Sequence, residues 1–187
     1  MNYKVGIFGG SFNPIHNGHI EVIEVAKEAC NLDKVILVPA NISPFKHEKD
    51  YVSAEHRLNM CKLAPAELDY VTVSDIEIKR KGFSYTIDTL EYLSKTYKDL
   101  YLIIGSDSFM SFDKWYKNED ILKLCKLIVI SRKNFVVNNV QKDNIIIVNA
   151  DISDISSTSI RLSEKYRCFL PLAVLEYVRA NSLYGGI

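Results

Sequence analysis

At 187 residues, 48% of them hydrophobic, the chain is long enough for one domain that buries roughly 70% of its unfolded surface without disulfide or metal staples. Its 23 basic and 23 acidic residues cancel, which leaves no global field to hold nucleic acid or an anionic membrane and makes a small molecule the expected partner. No apolar run approaches the roughly 20 residues a spanning helix needs and the start does not look like a signal, so a cytoplasmic protein without membrane association is expected.

Val5 to Phe8 is a short apolar run stopping at Gly9 and Gly10, as a buried strand does on entering a turn that needs φ > 0 or a close backbone approach. Asn13-Pro14 resists an immediate helix, because the residue before proline avoids the α region. Asn17 is the expected N-cap of a helix carrying Ile20, Ile23, Val25 and Ala26, with His19 in its first turn and His16 just ahead. Three residues apart at a helix entrance, the imidazoles can face one pocket, and Gly18 between them leaves room for a bulky ligand. Bare glycine N–H groups, a positive helix end and two ring donors together suit a phosphate. An ordinary turn beside two partly exposed histidines, or beside two metal ligands, would read the same way. Gly-Gly alone is neither the dinucleotide fingerprint nor a Walker A loop.

Lys34 to Pro39 reads as a second, doubly covered strand and completes a parallel βαβ unit. The loop after it holds Ser43-Pro44-Phe45-Lys46-His47, whose lysine alone means little. Ser53 caps a helix with Leu58, Cys61, Leu63 and Ala64 on its buried stripe. Tyr70 to Ser74 is expected as a strand, Asp75 to Ile78 as an alternating extended stretch, and Lys79 to Gly82 as a solvated turn without a role. Ser84 to Leu90 opens a helix with Ile87, Leu90, Leu93 and Tyr97 on one side, capped by Ser84 or Thr86 or offering its N–H groups to an anion.

Leu100 to Ile104 is a buried strand ending in Gly105-Ser106-Asp107-Ser108, at the strand end where open α/β sheets bind ligands; Ser106 or Asp107 could equally cap a helix. Trp115 and Tyr116 follow, by default as packing residues. Leu127 to Ser131, closed by Arg132, is a further strand, 138–144 a variable connection, and Ile145 to Val148 one more strand. In Ile155-Ser156-Ser157-Thr158-Ser159-Ile160-Arg161, Ser157 or Thr158 could simply cap a helix, whereas hydroxyls at a helix end with an arginine one turn in could clamp a polyphosphate. Leu172, Val174, Leu175 and Val178 mark a terminal helix. Cys30, Cys61, Cys125 and Cys168 are scattered without a Cys-x-x-Cys pair and read as reduced, mostly core residues. The expected fold is one α/β domain with a parallel central sheet and helices on both faces.

Read whole, the string from Gly9 to His19 resembles the Gly-Gly-Thr/Ser-Phe-Asp-Pro-x-His-x-Gly-His signature of the nucleotidyltransferase superfamily, and specifically of bacterial nicotinate-mononucleotide adenylyltransferases, with Asn13 replacing the usual Asp. Ile155 to Arg161 resembles the Ile-Ser-Ser-Thr-x-x-Arg motif of that family, Ser84 to Leu90 its Ser-Tyr-Thr-x-Asp-Thr-Leu segment, and Gly105 to Asp107 its Gly-x-Asp. The lysine loop resembles its Pro-Pro-His-Lys, with Phe45 where the histidine is usual and His47 close by. The Leu183-Tyr184 ending is similar too.

The resemblance implies a Rossmann-like fold and the joining of ATP and nicotinate mononucleotide into nicotinate adenine dinucleotide and pyrophosphate, without a covalent enzyme intermediate. It implies catalytic roles for His16, His19, Lys46 and Arg161. It places ATP on Gly9, Gly10, Ser11, Phe12, His16, His19, Gly105, Asp107, Arg132, Ser157, Thr158 and Arg161, and the mononucleotide on Ser11, Lys46, Thr86, Trp115 and Tyr116. Mg²⁺ is expected to arrive on ATP, with few direct protein ligands. A homo-oligomer stays open. Phosphopantetheine adenylyltransferase is the nearest rival, but usually carries Thr where His16 stands. A nucleotide sensor without turnover and a synthetase fragment of the same superfamily are further alternatives.

Overall fold

The computed structural model describes residues 3–44, 51–132 and 143–185, and at Arg132 the backbone alone. Lys46, Phe45 and His47 therefore lie outside the described residues, as do 138–142 of the expected connection and the Arg132 side chain.

Strand β1 (Lys4–Gly10) runs into helix α1 (Asn17–Cys30), which returns to β2 (Lys34–Pro39). Helix α2 (Ala54–Leu63) leads to the short β3 (Val71–Val73), and α3 (Ile76–Arg80) and α4 (Thr86–Leu93) lead to β4 (Asp99–Gly105). The one-turn α5 (Ser106–Phe109) and α6 (Asn118–Leu124) precede β5 (Lys126–Arg132), β6 (Ile145–Ala150), α7 (Ser157–Leu162) and α8 (Leu172–Ala180). The six strands are all parallel, in the order β3-β2-β1-β4-β5-β6. The order reverses between β1 and β4, and a crevice opens beyond the carboxyl ends of the strands at such a switch point.

Both faces of this sheet are buried, and the two-residue period sorts its side chains between them. Ile7, Ile36, Val38, Leu102, Ile104 and Val129 point to the face covered by α4 and α6; Phe8, Val35, Leu37, Ile103, Ile128 and Ile130 point to that covered by α1, α2, α7 and α8. Each fully buried aliphatic side chain of this kind stabilises the fold by about 1.5 to 3 kcal/mol. Gly6 sits where a Cβ would come within 2.8 Å of Leu32 and 2.9 Å of Ile103, so the central strand carries no side chain there. Cys30, Cys61 and Cys125 are core residues and Cys168 is exposed, all as free thiols. Burial pushes the Cys125 thiol up to about 12 and Cys61 higher still, so neither is a thiolate at neutral pH.

The structure corrects several local expectations. Asp75–Ile78 is not extended: Ile76–Arg80 forms the one-turn α3, with Lys79 paired to Asp75 at 3.1 Å. Helix α4 stops at Leu93, short of Tyr97, and neither Ser84 nor Thr86 caps it; Tyr85 is its N-cap, while the Ser84 hydroxyl accepts from the Asn41 N–H at 2.9 Å. Gly105 rather than Ser106 or Asp107 occupies the cap of α5, and Ser156 rather than Ser157 or Thr158 caps α7 by accepting from the Ser159 N–H at 3.1 Å. Ser53 caps α2 as expected. Among the described residues no helix is long and apolar enough to cross a membrane.

Candidate active site

The crevice beyond β1 and β4 has two lobes, of about 380 and 450 Å³. Both are bordered by Gly9, Gly10 and Ser11 from the end of β1 and by Asp107 and Ser108 from α5, so those residues form the waist between them.

The first lobe is built by the β1–α1 turn and by α7. Gly9 and Gly10 still belong to β1, and neither adopts a positive φ; that conformation falls on Phe12, at φ 45°. What the turn requires of Gly10 is a close approach, since a Cβ there would lie 2.9 Å from the Phe12 ring. Phe12 is buried edge-on against His19, with ring centroids 5.1 Å apart.

His16, not Asn17, is the N-cap of α1; its extended backbone presents its N–H to His19 Nδ1 at 3.1 Å. The two rings stack with centroids 3.7 Å apart. Because a backbone N–H can only donate, His19 Nδ1 is an acceptor, and in the neutral ring the hydrogen sits on Nε2. Gly18 borders the lobe, but the space left by its missing side chain is taken by Ile155 and the His16 ring, 3.1 and 3.2 Å from where a Cβ would be. It serves packing rather than the bulk of a ligand.

Helix α7 closes the lobe from the far end of the chain. The Ser157 hydroxyl donates to the Pro14 carbonyl at 2.8 Å, and Arg161 donates to the Asn13 carbonyl at 2.8 Å and to the Thr158 hydroxyl at 3.3 Å. His16, His19, Ser157, Thr158 and Arg161 thus line one cavity together with Gly105 and Asp107. Ile152 and Ser153 join them, residues that sequence reasoning missed; the Glu21 carboxylate on α1 accepts both the N–H and the hydroxyl of Ser153 at 2.6 Å.

The second lobe is lined by Ser43, Pro44, Glu77, Ser84, Thr86, Thr89 and Trp115. Thr86 stands in the first turn of α4, and Trp115 packs on Phe112 at 5.5 Å. Tyr116 borders neither lobe: it is 53% exposed and lies against Tyr85 at 4.9 Å. Arg80 is not a solvated bystander either, since its guanidinium donates to Thr89 Oγ1 and to the Tyr85 carbonyl, both at 3.4 Å.

Glu77 is the unforeseen group of this lobe. It is buried and accepts the Thr89 hydroxyl at 2.6 Å. Burial raises its carboxyl above the ordinary value near 4.5, against the opposing pull of hydrogen bonds from Thr89 and Ser84 and of the Arg80 charge. The native state therefore binds this proton more tightly than the unfolded chain. The contribution to stability is fully present below pH 4.5 and is lost as pH rises through the native value. Glu77→Gln, which keeps the acceptor for Thr89, is expected to raise the melting temperature at pH 8 and to lose that advantage towards pH 4; thermal melts across that range check it.

Arg57, on α2, is a further residue that the sequence does not single out. It is 2% exposed and donates to the carbonyls of Ser11, Ala40, Asn41 and Val52, which ties the first motif to both ends of the loop after β2. Its signal was its place on the buried stripe, one turn before Cys61. Among the described residues, no three His, Cys, Asp or Glu side chains gather closely enough to hold a metal ion.

Comparison with known proteins agrees with this architecture. Residues 7–163 match the cytidylyltransferase-like family. A relative from Clostridium botulinum, named "Probable nicotinate-nucleotide adenylyltransferase", is 37% identical over 97% of this chain and 98% of its own. Relatives of the same name from Aquifex aeolicus and Staphylococcus epidermidis are 48% identical over 70% of this chain and 78% of their own, and 36% identical over 99% of both. Among solved structures, Plasmodium falciparum nicotinic acid mononucleotide adenylyltransferase superposes with a TM-score of 0.82 in its complex with NaAD and 0.79 in that with APC; at 19% identity, each covering 98% of both chains, the likeness is one of fold. The chain belongs to the cytidylyltransferase-like family and, within it, to the nicotinate-nucleotide adenylyltransferases.

Proposed function

We propose that this chain transfers the adenylyl group of ATP to nicotinate mononucleotide, giving nicotinate adenine dinucleotide and pyrophosphate. The observation that carries the reading is the two-lobed crevice: imidazoles, hydroxyls and a guanidinium line one lobe, an indole and a helix start line the other, and both meet at Gly9 to Ser11. The first lobe takes the triphosphate and the second the pyridine ring, so the mononucleotide phosphate meets the ATP α-phosphorus at the waist.

A phosphate oxygen is already anionic at neutral pH and needs no protein nucleophile. It attacks the α-phosphorus, the bond from that phosphorus to the bridging oxygen breaks, and pyrophosphate leaves with the electron pair. Catalysis is then orientation and charge stabilisation, and well-oriented approach alone is worth about 7 to 11 kcal/mol. His19 donates from Nε2, and His16 stacks beside it on the same phosphates. Arg161 and Thr158 hold the leaving pyrophosphate, whose oxygens suit a guanidinium fork. Lys46, by the resemblance of its loop, neutralises charge at the transferring group, and Arg132 belongs near ATP on the same ground. Mg²⁺ enters as part of the ATP substrate. The ring carboxylate faces the N–H groups at the start of α4, where an amide would bring no charge.

A coupled pyrophosphate-release assay across nicotinate mononucleotide, nicotinamide mononucleotide and phosphopantetheine tests the reading: turnover is expected to be fastest with the first, and release with phosphopantetheine alone would end it. Trp115→Ala is expected to raise KM for the mononucleotide about tenfold with KM for ATP little changed, because it removes ring stacking from the second lobe only. Equal kinetics for the two proteins would withdraw the stacking role.

A further inference from the structure

We propose that Tyr184, near the chain's end, is a positioning residue for ATP: through Asn13 it holds Arg161 in the triphosphate lobe. The inference rests on the reading of that lobe as the ATP site, and it gives a role to an ending that the reaction itself leaves unused.

The link is continuous. Asn13 is 1% exposed, and its Oδ1 receives the Tyr184 hydroxyl at 2.8 Å and the Val52 N–H at 3.3 Å. A backbone N–H can only donate, so the atom it meets is the amide oxygen, and the hydroxyl meeting the same atom must donate as well. Burial keeps the proton on that phenol, against the pull of the Arg161 and Arg57 charges. The carbonyl of the same Asn13 accepts Arg161 at 2.8 Å, and that of Pro14 accepts Ser157 at 2.8 Å. The Asn13–Pro14 corner is thus the hanger for α7, and Tyr184 pins the hanger from behind.

Two features make the hydroxyl separable from the fold. Leu183 is buried in the core, and the Tyr184 carbonyl accepts Arg167 at 3.2 Å, so the segment stays anchored without the phenol oxygen. Arg161 and Asn13 border the first lobe and not the second, so a loosened corner acts on ATP rather than on the mononucleotide.

The test is a double-mutant cycle on Mg-ATP affinity by calorimetry, with steady-state KM for both substrates beside it. Tyr184→Phe is expected to weaken Mg-ATP binding about threefold to tenfold, as loss of one buried hydrogen bond does, with KM for nicotinate mononucleotide within about twofold. In an Arg161→Ala background the same change is expected to alter Mg-ATP affinity by less than about twofold, because the residue it acts through is gone. An undiminished effect in that background overturns the proposal, as does an unchanged Mg-ATP affinity or an equal rise in both KM values with a lowered melting temperature. Should the phenylalanine variant fail to fold, Asn13→Ala removes the acceptor instead and must show the same ATP-selective loss. A wild-type protein that binds Mg-ATP but releases no pyrophosphate with nicotinate mononucleotide defeats the functional reading and leaves this cycle able to decide on Tyr184.

Discussion

His19→Ala is expected to lower kcat by about two to three orders of magnitude at saturating substrate, the cost of removing one preorganised donor from developing phosphate charge. The ring that would be lost is held on three sides. His16 stacks on it at 3.7 Å, Phe12 meets it edge-on at 5.1 Å, and the His16 N–H occupies Nδ1. With Nδ1 taken, Nε2–H is the donor left for the lobe, and it is aimed without the entropy cost of ordering a free side chain. The same bond makes His19 part of the α1 cap, so the variant also loses about 1 kcal/mol of stability, a few degrees of melting temperature that does not by itself silence the enzyme. His19→Gln separates the two contributions: a glutamine amide can donate to phosphate but cannot fill the stack, so activity between those of alanine and histidine is expected. A kcat for the alanine variant within about threefold of wild type, at unchanged ATP affinity, would falsify the phosphate-clamp assignment.

The frame of the site was legible because its elements are governed by local rules. Val35 to Pro39 is apolar throughout, and only a doubly covered strand tolerates that; the expected strand, Lys34 to Pro39, is β2 to the residue. The two histidines of the first motif and the hydroxyls and arginine of the last, more than 130 residues away, converge on one lobe, as the two phosphate motifs implied. The misreadings have physical causes as particular as the successes. A helix of one turn is too short to show a 3.6-residue period, and Asp75 to Ile78 happens to alternate, so α3 was read as extended. Three neighbouring hydroxyls at the start of α7 are interchangeable in sequence; the structure separates them because Ser157 leaves for the Pro14 carbonyl and Ser156 turns back to the helix. Of the two alternatives for the Gly9-Gly10 turn the close approach holds, with Gly10 beneath the Phe12 ring, while the left-handed backbone sits on Phe12. The roles of Glu77 and Arg57 were hidden for one shared reason, although Arg57 stands on the buried stripe of α2: the partners that make their burial tolerable, Thr89 and four carbonyls, are chosen by tertiary structure alone.

Arg57→Ala follows from that last point, and its expected effect on stability exceeds that of His19→Ala. The guanidinium is buried and satisfies carbonyls of Ser11, Ala40, Asn41 and Val52 from separate directions. Each carbonyl left without a donor away from water costs about 1 to 3 kcal/mol, and partial entry of water brings the sum to roughly 3 to 5 kcal/mol. For a chain of this length that is a fall of about 6 to 20 °C in melting temperature. Arg57→Lys should recover less than half of it, because an ammonium is a point charge and cannot span acceptors that a planar fork reaches. Activity should fall with stability rather than independently of it, since Ser11 sits at the waist shared by both lobes and its carbonyl is one of the four released. Calorimetric melts of the three proteins decide the matter: a shift of under about 2 °C for the alanine variant would mean that water replaces the guanidinium at no cost, and the carbonyl cluster would then have to be regarded as solvated rather than dry.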